Sequence, residues 1–101
     1  MAPRRPQTGP IDSKGALALS GPSYAVTKRS VTLRGRRTSI SLEAPFWEMI
    51  RVAARENDLT ISVLVDHIDR ARGDNNLSSA LRVFAFLYVQ GAIPREALRF
   101  I

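Results

Sequence analysis

The sequence predicts a mainly α-helical fold entered through a short N-terminal β-ribbon, assembled as an intertwined homodimer and extended by an extra C-terminal helix. Three observations predict it. Polar and apolar residues alternate from Arg37 to Leu42, three segments with helical periodicity follow, and the basic charge is concentrated in the first part of the chain.

Residues 1–27 hold four of the six prolines, together with Gly9, Gly15 and Gly21, and show no periodicity beyond the short run Ala16-Leu17-Ala18-Leu19. This composition predicts a flexible basic arm. Ser13-Lys14-Gly15 is not a phosphate loop, because its glycine spacing is wrong and no helix follows.

Strand character begins at Arg29. Ser30-Val31-Thr32-Leu33 alternates, Arg34-Gly35 suits a tight turn, and Arg37-Thr38-Ser39-Ile40-Ser41-Leu42 alternates again. On the second run Thr38, Ile40 and Leu42 share one face, while Arg37, Ser39 and Ser41 share the other. An amphipathic strand cannot leave both edges open. The upstream strand could pair with it as a hairpin. The other solution, the one the predicted dimer adopts, is the same strand of a second copy, antiparallel across a two-fold axis.

A first helix is predicted from Ala44 to Asn57, with Pro45 in its first turn, where the missing N–H costs nothing. Phe46, Ile50, Ala53 and Ala54 form its apolar stripe, widened by Trp47 and Met49. Thr60 is a good N-cap for a second helix, in which Ile61, Leu64, Val65 and Ile68 recur at helical spacing before Gly73. A third helix, Leu77 to Gln90, is apolar nearly all round and is therefore expected to be buried on more than one side. These boundaries give a domain over residues 28–90 and a C-terminal tail over 91–101, where one more helical turn could start near Pro94. Ile40, Leu42, Phe46, Trp47, Ile50, Leu64, Val65 and Ile68 are the expected core of the dimer.

The chain has 101 residues and a formal charge of +6. Residues 1–42 carry eight basic residues against Asp12 alone, a net +7. The remainder carries seven basic and eight acidic residues, a net −1. A positive field confined to the arm and ribbon points to a polyanionic partner. Cysteine is absent, which excludes disulfides and thiolate metal sites and fits a reducing compartment. No apolar run reaches membrane-spanning length, and Met1–Pro10 does not read as a secretory signal. A cytoplasmic, nucleoid-associated location is the expectation.

A two-stranded ribbon carrying Arg37, Ser39 and Ser41 fits the DNA major groove. There an arginine can donate twice to guanine, and short hydroxyls can approach base edges closely. No cofactor, metal or catalytic group is expected. His67 with Asp66 and Asp69 is a weak ligand set, since adjacent helical residues point about 100° apart. Glu48 and Asp66 have helix-spaced arginine partners in Arg51 or Arg55 and in Arg70. Asp69, Arg70, Arg72 and Arg82 could form an ion network.

Arg37 to Ile68 resembles the ribbon-helix-helix superfamily of bacterial DNA-binding proteins. The resemblance is carried by Thr38-Ser39-Ile40-Ser41-Leu42, by Phe46, Ile50, Ala53 and Ala54, and by the turn Asn57-Asp58-Leu59-Thr60-Ile61-Ser62. A longer stretch is similar to a subgroup found in alphaproteobacteria; it runs from Lys28-Arg29-Ser30-Val31-Thr32-Leu33 to Asn76-Leu77-Ser78-Ser79-Ala80-Leu81-Arg82-Val83-Phe84. The family usually has glycine in the turn where Asp58 stands, so Asp58 is asked to accept a left-handed conformation.

The resemblance implies a dimeric transcriptional regulator, in the first instance a repressor. Arg37, Ser39 and Ser41 would contact bases of double-stranded DNA. Lys28, Arg29, Arg34 and Arg36, with Thr60-Ile61-Ser62 at the second helix N-terminus, would contact phosphates. The alternative is an antitoxin-like protein-interaction module that engages a protein partner through the arm or the C-terminal tail. The upstream strand and the third helix lie outside the minimal fold, and would either extend the core or cover the ribbon.

Overall fold

A computed structural model describes residues 9–99. Two strands, β1 (Val26–Leu33) and β2 (Arg36–Glu43), form an antiparallel hairpin, followed by helices α1 (Ala44–Glu56), α2 (Ile61–Ala71) and α3 (Leu77–Val89). Short 3-10 turns at Pro22–Tyr24 and Arg95–Leu98 flank them. The helices start and stop within a residue or two of where caps and periodicity place them.

The hairpin turn is Arg34-Gly35, with φ 49° and 80°. Two successive left-handed residues are what a two-residue turn needs to match the strands' twist. Between α1 and α2 the chain closes with Leu59 N–H donating to Ala54 O at 2.8 Å and Asp58 N–H donating to Arg55 O at 3.2 Å. This bond pair terminates a helix through a left-handed residue. Asp58 is that residue, at φ 57°, and takes the conformation glycine usually supplies. The second and third helices open on side-chain caps, Thr60 accepting from Val63 N–H at 3.1 Å and Asn76 accepting from Ser79 N–H at 2.8 Å.

The core joins the inner face of the hairpin to all three helices. Val31, Leu33, Ile40 and Leu42 descend from the strands onto Trp47, Ile50, Ala53 and Ala54 of α1, Leu64, Val65 and Ile68 of α2, and Leu81 and Phe84 of α3. Leu98 reaches the same core, so part of the expected tail packs down. Near the start of the described chain, Asp12 organises a tight turn by accepting from Lys14 N–H and Ala16 N–H, each at 2.9 Å. The beginning of the expected arm, residues 1–8 with Arg4 and Arg5, lies outside the described residues, as do Phe100 and Ile101 of the expected tail.

The strand carrying Ser39 pairs on one edge with the upstream strand of its own chain, the hairpin that the alternation at Ser30–Leu33 permits. The residues expected to need a second copy for burial are already covered. Leu42, Ile50, Leu64 and Val65 are 0% exposed and Ile40, Trp47 and Ile68 nearly so, with Phe46 partly buried against them. β1 and α3 supply that cover within one chain. α3 is less covered than expected. It buries Leu81, Phe84 and Ala85 on one face, yet leaves Val83, Phe86 and Val89 56–64% exposed on the other. Within one chain its apolar composition is buried on one side only.

Candidate nucleic-acid interface

The register of the hairpin fixes what each face offers. Paired residues stand on the same side, so Thr27/Leu42, Arg29/Ile40, Val31/Thr38 and Leu33/Arg36 line the inner face. Lys28/Ser41, Ser30/Ser39 and Thr32/Arg37 line the outer one. All residues of the outer pairs are exposed. Neither α3 nor the upstream strand covers them: α3 lies on the helical side of β2, and β1 is half of the ribbon.

The backbone phase is equally definite. Ala44 N–H donates to Ala25 O at 2.9 Å, which makes that pair a hydrogen-bonded one and, by alternation, the inner-face pairs as well. The outer-face pairs therefore turn their N–H and C=O groups toward the free edges. One of these groups on β2 is occupied, since the Ser78 hydroxyl donates to Ser41 O at 3.2 Å. The sequence expectation of base-contacting residues on one strand face agrees with the side on which Arg37, Ser39 and Ser41 stand. It omits Ser30 and Thr32, although the alternation Ser30-Val31-Thr32-Leu33 is the signal that marks them.

The basic residues divide into committed and uncommitted sets. Arg34 bonds Asp69 Oδ2 at 2.5 Å and lies 3.5 Å from Asp66, so its charge is answered by α2. Arg29, on the inner face, places its guanidinium 5.6 Å from the Trp47 ring centroid, an arrangement that attracts a cation to the π-face. Trp47 in turn donates its indole N–H to Thr27 O at 2.8 Å. Lys28, Arg36 and Arg37 have no ion pair among the described residues. Arg34, expected to contact phosphate, thus has its counter-charges on α2 in the DNA-free chain. Arg29 lies off the outer face.

The N-terminus of α2 is held by Thr60, and Ile61 lines one depression with Arg29, Trp47 and Tyr24. Ile61, at the start of α2, accordingly sits beside Arg29.

Acidic groups near the hairpin are neutralised locally. Arg82 bonds Glu43 at 2.9 Å and holds its carboxyl below the usual carboxylate range. Glu43 therefore adds little repulsion toward a polyanion at the end of the outer face. On the distal side, Arg51 pairs with Glu48 and Arg70 with Asp66. Asp69 joins Arg72 as well as Arg34. Of the expected ion network, Arg82 therefore leaves for Glu43 and Arg34 enters.

His67 does not gather carboxylates. Its Nε2 lies 2.8 Å from Ala97 O, tying α2 to the C-terminal turn at an apolar cleft of about 330 Å³ lined by Ile68, Phe84, Leu87 and Ile93. Among the described residues no cluster of three or more His, Cys, Asp or Glu could hold a metal. No helix of the described residues is long and apolar enough to cross a membrane.

Comparison with known proteins agrees with this architecture. A family described as a ribbon-helix-helix domain matches residues 26–89, from the start of β1 to the end of α3, so the upstream strand and the third helix both lie inside the family's span. Among solved structures, the chain is similar to an uncharacterized protein from Bordetella pertussis Tohama I. The identity is 32% and the TM-score 0.59, over 75% of this chain and 68% of that one. No curated protein matches. With the strand pair, the Asp58 turn and the capped helices all inside the matched span, the chain belongs to the ribbon-helix-helix domain family.

Proposed function

We propose that this protein is a sequence-specific DNA-binding regulator that presses the outer face of its hairpin into the major groove. The observation that carries the reading is the exposed β2 face, where Arg37, Ser39 and Ser41 stand together with no ion-pair partner for the arginine among the described residues. An arginine without a counter-charge on a ribbon of short hydroxyls is suited to bidentate donation to guanine while the hydroxyls reach neighbouring base edges. Lys28 and Arg36 supply phosphate contacts at the margins of the ribbon, and the Thr60-Ile61-Ser62 helix start supplies backbone donors to a phosphate beside Arg29.

The regulator acts as a homodimer, two chains placing two hairpins on successive half-sites and repressing by occupying an operator. The nucleoid is its location in this reading. Arg37→Ala is expected to weaken binding to a selected duplex by roughly 1–3 kcal/mol and to relax base preference at one position. Unchanged affinity and preference in a fluorescence-anisotropy titration would remove the β2 face from the site.

A second reading, a protein-interaction module, draws on the α3 face. Val83, Phe86 and Val89 stand exposed there without an intervening charge. The expected tail contact is weakened by the burial of Leu98, so α3 is the better surface for this reading. Co-purification of a stoichiometric protein that is lost on Phe86→Ser would favour it.

A further inference from the structure

We propose that Arg34 is a positioning residue for DNA reading: by tying the hairpin turn to the body of α2, it fixes where the ribbon stands relative to the start of that helix. This inference rests on the DNA-binding reading above and adds the device that sets the spacing between its base contacts and its phosphate contacts.

Two carboxylates, three residues apart on one helix face, meet the turn. Arg34 Nη2 bonds Asp69 Oδ2 at 2.5 Å, and Arg34 Nε lies 3.5 Å from Asp66 Oδ1. A planar guanidinium held through two of its nitrogens is fixed in direction as well as in distance. The Asp69 side chain is only 9% exposed, so this pair is screened less than one standing in water. Asp66 Oδ1 is shut off from water and makes no hydrogen bond among the described residues, so Arg34 is the cation that answers it. Leu33, the residue before, is buried in the core. Apolar burial is non-directional. It sets the depth of the hairpin tip, and the Arg34 bridge sets its orientation.

Both ends of this bridge lead to the proposed DNA contacts. Arg37 follows the Arg34-Gly35 turn closely on β2. On α2, Asp66 lies about 9 Å along the axis from the Thr60 cap. The bridge therefore joins the arginine-bearing end of the ribbon to the helix whose start supplies backbone donors. Taking Arg34 away leaves both carboxylates partnered within α2 and its C-cap, since Asp66 keeps Arg70 at 2.9 Å and Asp69 keeps Arg72 at 2.7 Å. What is lost is the link between hairpin and helix, and the cost of an unpaired buried charge does not arise.

The test titrates the unaltered chain, Arg34→Ala and Asp69→Asn against two duplexes, one selected by the unaltered chain and one a scramble of it. Circular dichroism and thermal melts compare the fold of the variants with that of the parent. A phosphate contact weakens both duplexes alike and lowers the salt slope. A positioning residue weakens the selected duplex alone, because a non-specific complex needs no fixed register. Arg34→Ala is expected to lose about 3- to 10-fold of the preference for the selected duplex, the scale of one or two hydrogen bonds. Its affinity for the scramble and its salt slope stay unchanged. Asp69→Asn is expected to lose preference in the same direction, although removing a negative charge would by itself tighten binding to DNA. Equal losses on both duplexes with a lower slope for Arg34→Ala, or tighter binding by Asp69→Asn, overturn the positioning role. So does a preference unchanged in both variants, which leaves the ribbon reading standing. A parent chain that prefers no sequence overturns both.

Discussion

The two faces of the β-hairpin are made of adjacent residues in the same strands and have opposite fates. On the inner face Val31, Leu33, Ile40 and Leu42 are taken out of water by three helices. On the outer face Lys28, Ser30, Thr32, Arg37, Ser39 and Ser41 remain exposed. The basic side chains follow the same division. Arg34 at the turn is drawn onto Asp66 and Asp69, and Arg29 onto Trp47, whereas Lys28 and Arg37 are left uncommitted on the outer side. Net charge therefore overstates what the ribbon can offer a polyanion: position on the alternation decides which charges are available.

The contrast can be broken at the inner face with the largest effect. Leu42→Ala removes a side chain that is 0% exposed and is expected to cost about 2–5 kcal/mol, measured by urea denaturation. An equivalent truncation on the outer face, Ser41→Ala, should move stability by less than about 0.5 kcal/mol. Equal losses would mean that the outer side is buried in solution.

The charge division is sharpened by salt titrations of DNA binding. Removing Lys28 or Arg36 should lower the slope of log affinity against log salt by about 1 per bound chain, while Arg34→Ala should leave it nearly unchanged. A matching drop for Arg34 would show that its pairing with α2 gives way when DNA arrives.

The smallest effect lies away from the hairpin. Burial, and then donation to Glu56 Oε1 at 2.5 Å, push the Tyr88 hydroxyl above its ordinary pKa of 10.0. A group whose folded-state pKa is raised favours folding while protonated. Its contribution is complete below about pH 10 and fades as pH climbs through the folded value. Tyr88→Phe is expected to flatten that alkaline loss in thermal melts taken from about pH 9 to 11. An identical alkaline profile would place the titrating group elsewhere.

Local signals in the sequence are enough for the helices, because Thr60 and Asn76 cap through their own neighbours and Pro45 marks a first turn. The left-handed φ of Asp58 is legible through the family resemblance, in which glycine usually holds that place. The partner of β2 is not legible. An open edge states that pairing is required, and alternation at Ser30–Leu33 permits a hairpin, but nothing local ranks a neighbouring strand against a second chain. Arg34 is unreadable for a related reason: its partners lie 32 and 35 residues away on α2, a distance only the packed fold closes. The exposed side of α3 escapes a sequence reading because helical apolarity reports what could be buried and not how many neighbours exist to bury it.

The account rests on the outer face of one chain's hairpin meeting the DNA, and amide chemical-shift mapping of the full chain during titration with a selected duplex tests that most directly. The predicted result is a set of shifts concentrated at Lys28, Arg36, Arg37, Ser39 and Ser41 and at the Thr60-Ile61-Ser62 helix start, with Val83–Val89 of α3 unmoved. Shifts that spare both strands and gather on α3 would contradict it.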